Sequence, residues 1–304
     1  MRVIVHGGAG GTADEPVPRQ ETLDEAVRRG ADADRPIDAI ERAVRVLESD
    51  ERFNAGYGGA VQSDGVVRTD AGLMRSDRTA GAAASMPGVE HAVSVARVVC
   101  EETPHVLVVG EHAVDLAAAF GIETDMYLRT DRTRSQYESE NPPDGTPREH
   151  LAWLRSRFGT GADQAGQPNK TAEYTDENSA TDHDTVGAVA FDGKTFAAAT
   201  STGGRSFALA GRVGDVPQIG SGFYASAAGA ASATGAGEDI AKTTLSRRAV
   251  GHLERGLDAQ AAAELAIEEF AELTGSTAGV IVLDRSGAGS AFNSDEMQTS
   301  VVER

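Results

Sequence analysis

The stretch from Asp182 to Gly204, DHDTVGAVAFDGKTFAAATSTGG, constrains this chain more than any other. Ahead of it, Gly159 to His183 holds no Leu, Ile, Val, Phe or Met, only alanines and Tyr174 as apolar side chains. A segment with so little to bury cannot offset its ordering entropy, so 159–183 is expected to be a mobile linker. The composition then turns β-like. Val186 to Phe191 and Thr195 to Thr200 flank Asp192-Gly193, and Asp-Gly between apolar runs predicts a hairpin. A polar arm therefore runs into a buried strand, with Thr185 at the junction.

A threonine there has two readings. It can be a β-branched residue that opens a strand. Alternatively, the chain is cut between Asp184 and Thr185, and Thr185 becomes a new N-terminus. A terminal amine has a pKa of about 7.7–8.0, so part of it is unprotonated at neutral pH. Carried on the same residue as the hydroxyl, it can serve as that hydroxyl's general base.

The rest of the chain narrows the choice. Its 304 residues suffice for a large core, and 35 glycines with 40% hydrophobic residues suit a loop-rich α/β protein. Net charge is −19, and Lys170, Lys194 and Lys242 are the only lysines among 28 basic residues. Such a surface argues against nucleic acid or anionic membranes as partners and reads as a solubility adaptation to salt. Cys100 is the only cysteine, so no intramolecular disulfide forms, and its amphipathic surroundings predict a buried small hydrophobe. The seven histidines show no HxxxH or HExxH spacing, and GxSxG is absent, so neither a catalytic zinc nor an α/β-hydrolase serine is expected. No apolar run approaches a membrane span and no signal-peptide core is evident, which predicts a cytoplasmic protein.

In chain order, Arg2 to His6 reads as a strand entering the glycine-rich turn Gly7 to Gly11, which lacks a nucleotide-binding spacing and instead suits close backbone approach beside a buried site. Helices are expected over Glu21–Arg29 and from Pro36, where Ile37, Ile40, Val44 and Leu47 form an amphipathic stripe. Strands are expected at Val66–Thr69 and Ala80–Ala84, a helix at Val89–Thr103, a buried strand at His105–Gly110 and a helix at His112–Phe120. Arg148–Phe158 is expected to be helical with Trp153 on its packing face. Helices at Asp239–Arg255 and Asp258–Leu273 then precede a hairpin of Val280–Asp284 and Ser290–Phe292, with Asp258 as N-cap and Gly275 past the end. This order suits two helical layers enclosing a sheet sandwich.

Three further features bear on chemistry. Asn54 before Ala55-Gly56 is a turn residue or a pocket-lining amide. Arg212 and Asp215 in GRVGD form a local ion pair, or match the carboxylate and ammonium of a free amino acid. Thr234-Gly235 before a helix can offer a hydroxyl and a backbone N–H to an oxyanion.

Over nearly its whole length the chain resembles the plant-type asparaginase and isoaspartyl peptidase family of N-terminal-nucleophile hydrolases. HGGAG from His6, FNAG from Phe53, TPHVLVVGE from Thr103, TVGAVA from Thr185, ATSTGG from Ala199, GRVGD from Gly211, ATGAGE from Ala233 and FNSDEM from Phe292 carry the likeness. The resemblance implies a four-layer αββα sandwich matured by autocleavage between Asp184 and Thr185. Residues 1–184 and 185–304 would be two subunits of one structural domain, paired into a homodimer. It implies Thr185 as nucleophile, Thr202 as its hydrogen-bond partner, and Thr234 and Gly235 as the oxyanion hole. Arg212 would hold the substrate α-carboxylate and Asp215 its α-ammonium, with Gly237 lining the pocket and Asn54 supporting the nucleophile. No organic cofactor is implied. A structural sodium is, held by backbone carbonyls of Leu47, Glu48, Asp50, Phe53, Ala55 and Tyr57. The substrates implied are L-asparagine and β-aspartyl dipeptides. Some residues depart from the pattern. Asp184 before the nucleophile is closer to the related glycosylasparaginases, which stand as the alternative. Val216 follows GRVGD where Ser is commoner, and GLMRSD from Gly72 replaces the usual ending. An uncleaved small-molecule-binding protein is the reading from another class.

Overall fold

The computed structural model describes residues 1–158 and 185–304; the expected linker and Asp184 lie outside the described residues. The first part contains β1 (Arg2–His6), α1 (Pro16–Ala31), α2 (Pro36–Glu48), β2 (Arg68–Arg75), β3 (Ala80–Pro87), α3 (Ala92–Glu102), β4 (Leu107–Val109), α4 (Glu111–Ala119), α5 (Asp131–Glu140) and α6 (Pro147–Phe158). The second contains β5 (Val186–Phe191), β6 (Phe196–Thr202), β7 (Phe223–Ala225), β8 (Gly229–Gly235), α7 (Gly237–Thr243), α8 (Leu245–Glu254), α9 (Ala259–Thr274), β9 (Ala278–Asp284), β10 (Ala288–Phe292) and β11 (Thr299–Glu303).

Two sheets form. One has seven strands in the order β11-β1-β5-β6-β2-β3-β4, and the other four in the order β10-β9-β8-β7. Every residue of β5 and β6 is buried, because helices cover one face of the large sheet and the small sheet covers the other. This explains why both strands read as unbroken apolar and small residues and do not alternate. Leu23, Ile40, Val44, Leu47 and Val93 form the core between the large sheet and its helices. Ile4, Val189, Phe196, Phe223 and Ile281 fill the space between the sheets. Leu245, Val250, Ala266 and Phe270 pack α8 and α9 onto the small sheet. The result is the expected αββα sandwich.

Local signals explain most elements. The stripe Ile37, Ile40, Val44 and Leu47 is buried, and Pro36 occupies the first turn of α2. Asp192 accepts N–H groups from Lys194 and Thr195 at 2.8 and 2.7 Å, which fixes the β5–β6 turn. The Asp258 side chain accepts the Ala261 N–H at 2.9 Å, and Gly275 closes α9 with φ of 69°. Replacing Asp258 with Ala is expected to cost about 1 kcal/mol, read as a Tm roughly 2 °C lower. Trp153 meets Phe207 edge-on, with ring centroids 6.0 Å apart. Cys100 is buried, and burial pushes its thiol up to about 11, where no thiolate forms at neutral pH.

Several elements differ from expectation. His105–Gly110 was read as a buried strand, yet only Leu107–Val109 pairs, and Leu107 and Val109 are 45% and 51% exposed. β4 is the last strand of its sheet and joins β3 in parallel, so its outer edge has no neighbouring strand among the described residues. The single helix expected over Asp239–Arg255 is α7 and α8, separated at Thr244, whose left-handed φ of 52° ends α7 as a C-cap. The helix expected from Glu21 begins at Pro16, since proline is tolerated in a first turn. The strand placed at Val66–Thr69 runs from Arg68 to Arg75. α5, β7, β8 and β11 were not anticipated. β11 is half polar and owes its conformation to pairing with β1 over five residues. No helix among the described residues is long and apolar enough to cross a membrane.

Candidate active site

The site begins at the N-terminal end of β5. Thr185 stands one residue before that strand, is nearly buried, and donates its hydroxyl to Thr202 Oγ1 at 3.2 Å. Thr202 closes β6, the neighbouring strand, and its Oγ1 also accepts the Gly204 N–H at 3.0 Å. Its own hydroxyl hydrogen points to the Asn54 carbonyl at 3.4 Å. The two threonines therefore form a directed chain, and the proton of Thr185 is already engaged.

Asn54 fastens this corner. Its Nδ2 donates to the Gly204 carbonyl at 2.6 Å, its Oδ1 accepts the Ala60 N–H at 2.7 Å, and its carbonyl accepts the Gly203 N–H at 2.9 Å. Its amide is thus committed to the protein, so Asn54 supports the Thr202 turn. The turn reading and the pocket reading merge. Gly203 permits the contact: a Cβ there would sit 2.4 Å from Gly59 Cα and 2.7 Å from Asn54 Oδ1.

A second group lies on the loop after β6 and at the start of α7. Arg212 Nε donates to Glu238 Oε1 at 2.8 Å. Among the described residues Arg212 pairs with Glu238 and not with Asp215, so the local ion pair expected within GRVGD does not form. Burial opposes the charge of Glu238, but the hydrogen bond and charge of Arg212 outweigh it and hold the carboxyl down to about 2. Asp215 is buried and its Oδ2 has no hydrogen-bond partner among the described residues. Burial pushes its carboxyl up to about 7, although a backbone N–H and Arg212 favour its ionised form. Gly237 stands between the two. A Cβ there would lie 2.7 Å from Asp215 Oδ1 and 2.9 Å from Arg212 Nη2, so only glycine leaves both head groups accessible from this side.

The third group belongs to the small sheet. Thr234 is fully buried on β8, and its Oγ1 accepts the N–H of Ala9, in the glycine-rich turn after β1, at 3.3 Å. Gly235 follows with φ of 130° against Thr277 and Ala278. The turn after His6 thus does what close approach predicts: it brings β1 onto β8.

The sequence reading gave no side-chain role to four polar residues around these groups. His6 Nε2 lies 2.9 Å from Ser232 Oγ, which lies 2.8 Å from Thr200 Oγ1, a chain that joins the two sheets. Burial holds the His6 imidazole down to about 3, so it is neutral at physiological pH and is no cationic catalyst. Glu48 is wholly buried, with Oε1 accepting from Ser201 Oγ at 2.6 Å and from the Val93 N–H at 3.0 Å. Glu238 ends the ATGAGE block, and only its place beside the Arg212 guanidinium in the fold gives it a role. Asp70, on β2, is fully buried, and burial raises it to about 7 against the Ser85 N–H that favours its charge.

The six carbonyl-bearing residues of the expected sodium loop lie on one closed turn. The Tyr57 N–H returns to the Glu48 carbonyl at 2.8 Å, and the Phe53 N–H to the Asp50 carbonyl at 3.0 Å. Uncharged oxygens on a chain that folds back on itself are the donor type a hard monovalent ion takes. The residues fit the ion in kind.

A family model described as asparaginase matches residues 1–304. The chain belongs to the asparaginase family. The plant-type L-asparaginase of Pyrococcus abyssi is 40% identical over 305 residues, covering 98% of this chain and 94% of that protein. The plant-type L-asparaginase of Pyrobaculum calidifontis is 39% identical over 94% of this chain and 91% of its own length. The isoaspartyl peptidase/L-asparaginase of Rattus norvegicus is 35% identical, covering 94% of this chain and 80% of the rat protein. The asparaginase family assignment thus spans both threonine-bearing strands, the Arg212 loop and the glycine-rich turn after β1.

Proposed function

We propose that this chain is a self-cleaving threonine amidohydrolase that converts L-asparagine to L-aspartate and ammonia and hydrolyses β-aspartyl dipeptides. The observation that carries the reading is the Thr185 hydroxyl, nearly buried, donating to Thr202 at 3.2 Å one residue before β5. Cleavage between Asp184 and Thr185 gives Thr185 a free amine, a base with a pKa near neutrality beside its own hydroxyl. The amine takes the hydroxyl proton as Oγ1 attacks the side-chain amide carbon of the substrate. Thr234 and the Gly235 N–H stabilise the oxyanion, a task suited to groups on a buried strand end. The proton passes to the departing nitrogen, and water hydrolyses the β-aspartyl ester on Thr185.

Arg212, paired with Glu238 through Nε, takes the substrate α-carboxylate, and Asp215 takes the α-ammonium. The buried Oδ2 of Asp215, unpartnered among the described residues, supports this assignment, because a buried acceptor without a partner is costly until a ligand supplies one. The cleavage itself uses the same hydroxyl against the Asp184 carbonyl, dividing the chain into subunits of residues 1–184 and 185–304 that remain one domain. Sodium would be held by the carbonyls of Leu47, Glu48, Asp50, Phe53, Ala55 and Tyr57 and would stiffen the loop that carries Asn54. The functional form is proposed to be a homodimer of cleaved units in the cytoplasm, with no nucleic acid or membrane partner.

Intact mass under denaturing conditions tests the core of this reading. Wild-type protein is expected to give two fragments, the smaller beginning at Thr185, and to release ammonia from L-asparagine. A single intact chain that still releases ammonia would overturn the terminal-amine mechanism.

A further inference from the structure

Three polar side chains line up across neighbouring strands of the large sheet. Thr185 precedes β5 and contacts Thr202 of β6 through its hydroxyl, and Thr202 is paired in turn with Asp70 of β2. Directly paired residues of antiparallel strands project to the same face. That face meets the small sheet: Thr200, two residues before Thr202, reaches Ser232 of β8, and Gly72, two residues after Asp70, lies against Phe223 of β7. Asp70 is therefore the third member of the row that begins with Thr185.

The backbone is shaped to put a carboxylate there. The β2–β3 pairing slips between Thr69 and Ala71, and such a bulge re-aims the residue it contains. Across the slip, Ser85 adopts φ of 56°, a left-handed conformation uncommon for serine, and its N–H meets Asp70 Oδ1 at 2.6 Å. The Asp70 carboxyl is buried and near enough to Arg212 and Asp215 to perturb both. Yet Arg212 pairs with Glu238. The pocket thus holds two buried carboxyl groups, Asp70 and Asp215, and no cation committed to either among the described residues.

We propose that Asp70 is a specificity-determining residue: with Asp215 it makes the pocket doubly acidic and so selects substrates that carry a free α-ammonium. This inference rests on the amidohydrolase reading above. A zwitterionic amino acid brings the missing positive charge beside Asp215, whereas a substrate with the same amide and carboxylate but no ammonium leaves both acids uncompensated and adds a third negative group. Charge–charge terms between buried, poorly solvated groups are large enough for about tenfold discrimination.

The test compares kcat/KM for L-asparagine and for succinamate, which lacks only the ammonium, well above neutral pH. Asp70→Asn keeps an oxygen for the Ser85 N–H and removes the charge. Its preference for L-asparagine is expected to fall about tenfold or more, mainly through KM, while Asp70→Glu retains the preference. Asp70→Ser serves as a second neutral variant should the Asn protein not fold. Equal losses on both substrates, leaving the ratio at its wild-type value, would mean a structural role and overturn the inference. A wild type that hydrolyses neither substrate would instead overturn the amidohydrolase reading, and this inference with it.

Discussion

Thr185→Ala is expected to leave a single uncleaved chain and to lower hydrolysis of L-asparagine by about 10⁴-fold or more. Two losses coincide in this substitution. Without Oγ1 there is no attack on the Asp184 carbonyl, so the amine base is never released. Without Oγ1 there is also no nucleophile for the substrate. Thr185→Ser separates these from packing effects, because it retains hydroxyl and amine and loses only the methyl group. The serine variant is expected to cleave slowly and to keep measurable activity. Intact mass and ammonia release read both variants. An Ala variant that is cut at the same bond would show that another group or another protein makes the cut.

Asp215→Asn is expected to act oppositely on catalysis and on stability. Removing the partner of a buried ammonium costs about 2–5 kcal/mol, which is roughly 30-fold to several thousand-fold in kcat/KM, expressed mainly in KM. The empty enzyme, however, gains. Burial raises the Asp215 carboxyl from its ordinary 3.8 to about 7, so between those values the folded state binds more protons than the unfolded one. Stability from this group is therefore greatest at low pH, falls as pH rises from about 4 to about 7, and is constant above that. Asn carries no such penalty. At about 1.4 kcal/mol per pH unit, roughly three units set an upper bound of about 4 kcal/mol on the gain above neutral pH. Thermal melts should show a higher Tm for the variant at alkaline pH and no difference near pH 4. Unchanged kcat/KM together with unchanged Tm would rule out Asp215 as a buried, charge-bearing substrate contact. The trade-off is of the kind expected where a site holds a strained or unpaired group for its ligand.

These expectations rest on unequal contributions from sequence and structure. The sequence alone determined the β5–β6 hairpin, because Asp192-Gly193 and two apolar runs are local signals whose partners lie a few residues away. It determined α2 and the ends of α9 for the same reason, through the Ile37–Leu47 stripe, Asp258 and Gly275. Thr185 was legible because a polar segment meets a buried strand there. Tertiary structure decided what depends on neighbours distant in the chain. The exposure of Leu107 and Val109 follows from a place at the edge of the sheet, which no local pattern encodes. Arg212 chose Glu238, 26 residues away, over Asp215, three residues away, because α7 brings that acid to its guanidinium. The row from Thr185 through Thr202 to Asp70 exists only in strand register. Side-chain chemistry is written residue by residue, but which buried charges face one another is set by how the strands pair and the two sheets stack.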